Sequence, residues 1–209
     1  EIRLSLVGSE MCIRDSNGSA PIYIRYSDGS LQKGNGNGWG VFLIEDNFVE
    51  KTFLATDKRR TELIHKDIYD QTGKLVTPSP VRGYFSAKYV DPDFIGERTS
   101  ARPFLIRYSD IALVFAEAAG PDEGLALVNE IRRRAGIPEL PEGMSLAEFR
   151  KAVIQERALE LAFEGNRLYD LRRTASVTAT VPEATKLSEE QAAFYPIPQR
   201  ELDLNPNVK

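Results

Sequence analysis

The segment from Ser145 to Arg173 constrains this chain more than any other. It has the signals of a helix, but charges occupy the side that should face a core. Ser145 is followed three residues later by Glu148, the spacing of a reciprocal capping box. Met144 before the cap and Phe149 at the fourth helical position are placed to form an apolar staple. Gly165 offers a left-handed stop, so the spacing predicts a helix over 146–164, about 28 Å long at 1.5 Å per residue. At a helical turn of roughly 100° per residue, Leu146, Phe149 and Val153 share one side. Arg157, Glu160 and Glu164 fall on that same side. Glu156, Glu160 and Glu164 also stand four apart, where like charges repel. Such a face requires nearby cations and a specific partner surface, because a buried ionic network is costly unless every member is paired. Arg157, Arg167, Arg172 and Arg173 are the nearest candidate cations in sequence.

Bulk properties narrow the classes. A chain of 209 residues can bury a sizeable core. A net charge of -4 is too mild to argue for nucleic acid or an anionic membrane surface. No apolar run is long enough for a membrane-spanning helix. Cys12 and His65 are the only cysteine and histidine, which excludes a Cys/His zinc site and a disulfide within one chain. A nucleophilic triad would rest on His65 alone, without a Gly-x-Ser-x-Gly elbow. No cofactor signature stands out. Gly34–Gly40 has neither dinucleotide nor P-loop spacing.

The chain divides into three stretches. Ser5–Ser16 resembles a peptide that recurs when sequencing-adaptor reads are translated, so residues 1–16 are set aside as non-native. Residues 17–102 read as loop-rich, with short strands at Ile22–Tyr26, Val41–Ile44 and Tyr84–Val90. Residues 103–209 read as helical. Pro103 suits a first helical position, and Leu105, Tyr108, Ile111, Phe115 and Ala118 recur at helical spacing up to Gly120-Pro121. Asp122 can cap a second helix that ends at Gly136. The link of about three residues folds the two back as a hairpin, with Ala112, Ala116 and Ala119 permitting close approach. The helix at 146–164 and a shorter one over 166–173 make a second pair. The predicted fold is therefore mainly α, with tetratricopeptide-like hairpins beside a loop-rich region of short strands. The tail, 194–207, is expected to be extended and directed by its prolines.

Four motifs in order carry a family resemblance. Arg107–Ile111 with Phe115–Ala118, Asn129–Gly136, Glu156–Asp170, and Pro196–Asn207 are similar to successive segments of the SusD/RagB family. Trp39-Gly40 and Asp57-Lys58-Arg59 resemble weaker landmarks of it. The resemblance implies a lipid-anchored protein on the extracellular face of the outer membrane in Bacteroidota-type bacteria. It implies a non-enzymatic binder of nutrients, most often oligosaccharides, that serves a SusC-like TonB-dependent transporter. On that reading the chain is a C-terminal fragment, and the lipidated cysteine that provides the only membrane contact lies on a missing N-terminal part.

Candidate ligand residues follow. Trp39 can stack on a sugar ring, and the amides of Asn35 and Asn37 can bond hydroxyls; alternatively Trp39 fills a core gap under the glycine-rich turn. Tyr84 is a further platform candidate, as are Tyr26 and Tyr89, each also readable as a half-buried strand residue. Glu45, Asp46 and Glu50 invite a glycosidase reading, against that of a solvated acidic strand end. His65 reads as a surface residue. Arg132-Arg133-Arg134 reads as a helix C-terminus whose cations oppose the carbonyl dipole. Glu156, Arg157, Glu160, Glu164, Arg167 and Asp170 read as one structural network. A third reading of the chain is a helical-repeat module that docks another protein and binds no glycan.

Overall fold

The computed structural model describes residues 23–34, 44, 46–79, 83–91, 93, 100–102, 104–193 and 197–205. The fold is mainly α. It divides into two compact units, one up to Gly165 and one from Asn166 onward. The change of character near residue 103 lies inside the first unit.

In the first unit, β1 (Tyr23–Arg25) and β2 (Leu31–Lys33) form an antiparallel hairpin, its turn using Gly29 at φ +84°. Two helices follow in the stretch expected to be loop with short strands: α1 (Asp46–Thr52) and α2 (Lys58–Leu63). Both are too short to show a helical period, and α2 is fixed by its cap, with Asp57 accepting from the Arg59 backbone N–H at 2.9 Å. β3 (Ile64–His65) pairs antiparallel with β4 (Phe85–Ser86). Of the expected strand at Tyr84–Val90, only these two residues form a strand. Ile24, Ile68, Phe85 and Ala87 make a small core beneath these pairs.

The helical frame begins at Tyr108 rather than at Pro103, which lies outside the described residues. α3 (Tyr108–Ala119) and α4 (Pro121–Ala135) are joined by Gly120 alone. Pro121 is the first residue of α4, so Asp122 sits in the first turn instead of capping it. The close approach of α3 and α4 depends on Gly124 facing Ala116, beyond the alanines expected to permit it. A Cβ there would stand 2.7 Å from the Ala116 Cα. α4 stops at Gly136 in the left-handed region, as its sequence predicts. α5 (Leu146–Glu160) carries the full Ser145–Glu148 capping box, and Met144 packs against the cluster that holds Phe149. Leu113, Val128, Phe149 and Val153 form the core of α3, α4 and α5. A further core joins Val49, Phe53 and Ile64 to Ala135, Leu159 and Ala162, tying the loop-rich segment to the helices.

The second unit holds α6 (Arg167–Arg173), α7 (Val177–Thr180), a 3-10 turn at Pro182–Lys186, α8 (Glu189–Ala193) and α9 (Gln199–Leu204). Its core is Leu171, Val177, Ala184 and Ala192. The tail expected to be extended is helical over Gln199–Leu204, because Pro198 sets the turn and leaves the following residues free to bond within it. Among the described residues, no helix is long and apolar enough to cross a membrane.

Candidate functional site

The inward face of α5 is ionic and buried. Glu156 is fully buried, and Glu160 and Glu164 nearly so. Glu156 accepts from Arg59 Nη1 and Arg132 Nη1, each at 2.6 Å. Glu160 accepts from Arg59 at 3.2 Å, from Arg107 at 2.8 Å and from Arg134 at 2.5 Å. Glu164 accepts from Lys88 at 2.5 Å, and from Arg107 Nε and Nη2 at 2.7 and 2.8 Å. Arg59 also forms a two-pronged pair with buried Asp57, at 2.9 and 2.8 Å.

The cations therefore differ from the candidates named by proximity. They come from α2, from the stretch after β4, from the residue before α3, and from the last turn of α4. Arg157 is buried as well, but bonds Asp110 at 2.8 Å. Asp170 is buried in the second unit and pairs with Arg173 at 2.7 Å. Arg167 Nη1 meets no partner among the described residues, and burial pushes its guanidinium below the usual arginine range. Sequence proximity misled because a helix side chain reaches only three or four residues along its own face, whereas these partners stand up to 101 residues away.

The network also explains a second departure. α5 ends at Glu160, one turn before the expected stop at Glu164. The Glu160 carbonyl accepts from Lys88 Nζ at 2.8 Å and Arg107 Nη2 at 2.7 Å, while the Glu164 N–H turns to the Leu161 carbonyl. Side chains thus take the bond that the next helical turn would have used. Phe163 and Gly165 then both adopt positive φ.

Electrostatics fit a structural role. Burial disfavours ionised Glu160, but hydrogen bonds from Arg134 and Arg107 overcome it and hold the carboxyl down at about 2. Burial pulls Lys88 down, with Glu164 opposing. Burial likewise opposes charge on Arg59 and Arg107, yet their carboxylate partners raise both. A carboxylate pinned ionised by two guanidinium groups is poorly matched to proton transfer near neutral pH.

The ligand candidates are placed as follows. Trp39, Asn35 and Asn37 lie outside the described residues, as does Glu45. Tyr84 is half-buried beside Ile44, with the Lys66 ammonium 4.8 Å over its ring centre. Tyr26 is half-buried, its hydroxyl donating to Gln32 at 2.5 Å. Tyr89 is buried, and burial with Glu164 nearby pushes its hydroxyl up to about 12. Asp46 and Glu50 are not at a strand end but on α1, where Asp46 pairs with Lys66 at 3.0 Å near the surface. His65, expected at the surface, is buried on β3, its ring edge-on to Tyr26 and its Nε2 3.0 Å from the Glu62 carbonyl. Burial lowers its pKa. Among the described residues, no group of carboxylates, histidines and cysteines is arranged to hold a metal.

Comparison with known proteins places this architecture. A sequence model of the SusD family matches residues 68–209. SusD-like protein P2 of Formosa agariphila is 36% identical over 162 residues, covering 66% of this chain and 32% of its own length. SusD-like protein P38 of the same organism is 31% identical over 117 residues, covering 50% of this chain and 23% of its own. The crystal structure of a SusD homolog from Bacteroides thetaiotaomicron superposes with a TM-score of 0.58 at 27% identity, over 74% of this chain and 40% of its own. A laminarin binding SusD-like protein shares the fold with a TM-score of 0.65 at 23% identity, over 94% of this chain and 42% of its own. The chain thus spans a third or less of the length of the two curated relatives.

Proposed function

The chain belongs to the SusD family, and on that premise we propose that it is part of a cell-surface protein that binds an oligosaccharide and passes it to a SusC-like TonB-dependent transporter. Members of the family are typically cell-surface lipoproteins of Bacteroidota. The observation that carries the reading is the family match over 68–209. The ionic bolt of α5 supports it, since a rigid frame pre-organises the loops it carries, and pre-organisation lowers the entropic cost of capturing a flexible glycan. Binding proceeds without chemistry on this reading. Trp39 stacks on a sugar ring, with Asn35 and Asn37 bonding hydroxyls. Tyr84 is the weaker platform, because Lys66 already stands over its ring.

The test is calorimetry against soluble polysaccharides, laminarin among them, with the chain carried in a full-length family protein. Trp39→Ala is expected to weaken binding about two- to tenfold, the range for an aromatic contact, with unchanged helicity. Unchanged affinity removes Trp39 from the site. A blank glycan screen alongside co-purification with a barrel transporter favours the protein-docking module instead. Release of products from labelled polysaccharide sinks the binding-only reading.

A further inference from the structure

Helix α5 stops where its own sequence would continue. Leu161, Ala162 and Glu164 are strong helix formers, and Gly165 already stands at φ +82°, the stop that a longer helix uses. To add that turn, the Glu164 N–H must donate to the Glu160 carbonyl. It donates instead to the Leu161 carbonyl at 3.0 Å. A carbonyl oxygen has two lone pairs, and on Glu160 both are taken, by Lys88 Nζ at 2.8 Å and Arg107 Nη2 at 2.7 Å. The coil that results is strained. Phe163 stands at φ +68°, where a bulky side chain crowds its own backbone. Packing of Phe163 against the core of Val49, Phe53 and Leu159 offsets part of that strain.

The two donors act together. They flank residues 89–106, and both also hold Glu164, Lys88 at 2.5 Å and Arg107 at 2.7 and 2.8 Å. The limbs that carry them are tied to each other as well. The Tyr89 and Phe104 rings lie 5.8 Å apart, and buried Asp91 accepts from the Ser100 backbone N–H at 2.5 Å and from its hydroxyl at 3.0 Å. A shift of either limb therefore draws both donors from Glu160. We propose that residues 161–164 are a two-state joint: coiled while Lys88 and Arg107 hold the Glu160 carbonyl, and a last turn of α5, ending at Gly165, when those two side chains withdraw. Whatever displaces the limbs is thereby relayed to the point where the chain leaves the first unit.

The preference of position 163 for glycine or alanine reads the state. Both replacements lose the same ring, so their difference reports the backbone. At positive φ glycine is the better residue, whereas inside a helix alanine is. In the otherwise unaltered chain, Phe163→Gly is expected to have a folding equilibrium constant about threefold or more above that of Phe163→Ala, read from urea unfolding. In the background Lys88→Met/Arg107→Met/Glu164→Gln the order is expected to invert, with alanine ahead by about twofold or more. That background frees the Glu160 carbonyl, strands no carboxylate at 164, and leaves Glu160 its bonds to Arg59 and Arg134. Glycine still ahead there overturns the proposal. So does alanine ahead in the otherwise unaltered chain, which denies the strained coil. Should the triple background not fold, Glu164→Gln alone decides. It loosens both limbs and is expected to cut the glycine advantage by about half or more; an undiminished advantage overturns the proposal.

Discussion

Arg59 offers the sharpest perturbation. Its guanidinium touches three carboxylates: Asp57 and Glu156, both fully buried, and Glu160. Arg59→Ala leaves them unequally supplied. Glu160 keeps Arg107 and Arg134, and Glu156 keeps Arg132. Asp57 loses both side-chain bonds from Arg59 and retains the Arg59 backbone N–H. A buried charge stripped of its partner costs about 3–5 kcal/mol. That is a large share of the roughly 5–15 kcal/mol that keeps a domain folded. For a chain of this size it corresponds to a fall of about 6–20 °C in melting temperature. Arg59→Lys is expected to fall between, since one ammonium cannot reproduce a planar fork on Asp57 while reaching Glu156. Thermal unfolding followed by circular dichroism reads both. A melting temperature for Arg59→Ala within about a degree of wild type refutes the reasoning.

Two further outcomes follow from the geometry. Gly124→Ala places a Cβ 2.7 Å from the Ala116 Cα and 2.8 Å from its carbonyl oxygen, and is expected to cost about 1–3 kcal/mol by forcing α3 and α4 apart; urea unfolding with an unchanged midpoint argues against close contact there. Acid should also weaken the fold. The Glu160 carboxyl is held at about 2 when folded and near 4.5 when unfolded. Its contribution, at most about 3 kcal/mol, is present above pH 4.5 and lost as pH falls toward 2. Buried His65 has the same sign, because a lowered folded pKa lets the unfolded chain take the proton first, below about 6.5. Urea midpoints that stay flat from neutrality to pH 3 contradict both.

How much of this was legible in the sequence depends on range. Ser145 with Glu148 and the Gly136 stop are local signals, and each appears where spacing put it. The burial of Glu156, Glu160 and Glu164 was legible for the same reason, since helical phase puts the last two on the side of Phe149 and Val153. Their partners were not, because Arg59, Lys88 and Arg107 reach α5 through the fold rather than along a helix. One signal existed: Arg59, Arg107, Arg132 and Arg134 all lie within segments noted for their family resemblance, and they meet at α5. The end of α5 at Glu160 also depended on those distant donors. α1, α2 and α9 span only six or seven residues each, too few for apolar periodicity to register. The candidate ligand residues were legible only as residue types, since neither loop position nor reach follows from spacing.

Cations drawn from distant segments fasten α5 through its buried glutamates. A double-mutant cycle between Arg59→Met and Glu156→Met, read by urea unfolding, tests it most directly. Because the two side chains meet at 2.6 Å out of solvent, the double variant should be less destabilised than the two single losses together, with a coupling of at least about 1 kcal/mol. Additive losses, within about 0.3 kcal/mol, would mean that the two residues act independently and that this network does not hold the frame together.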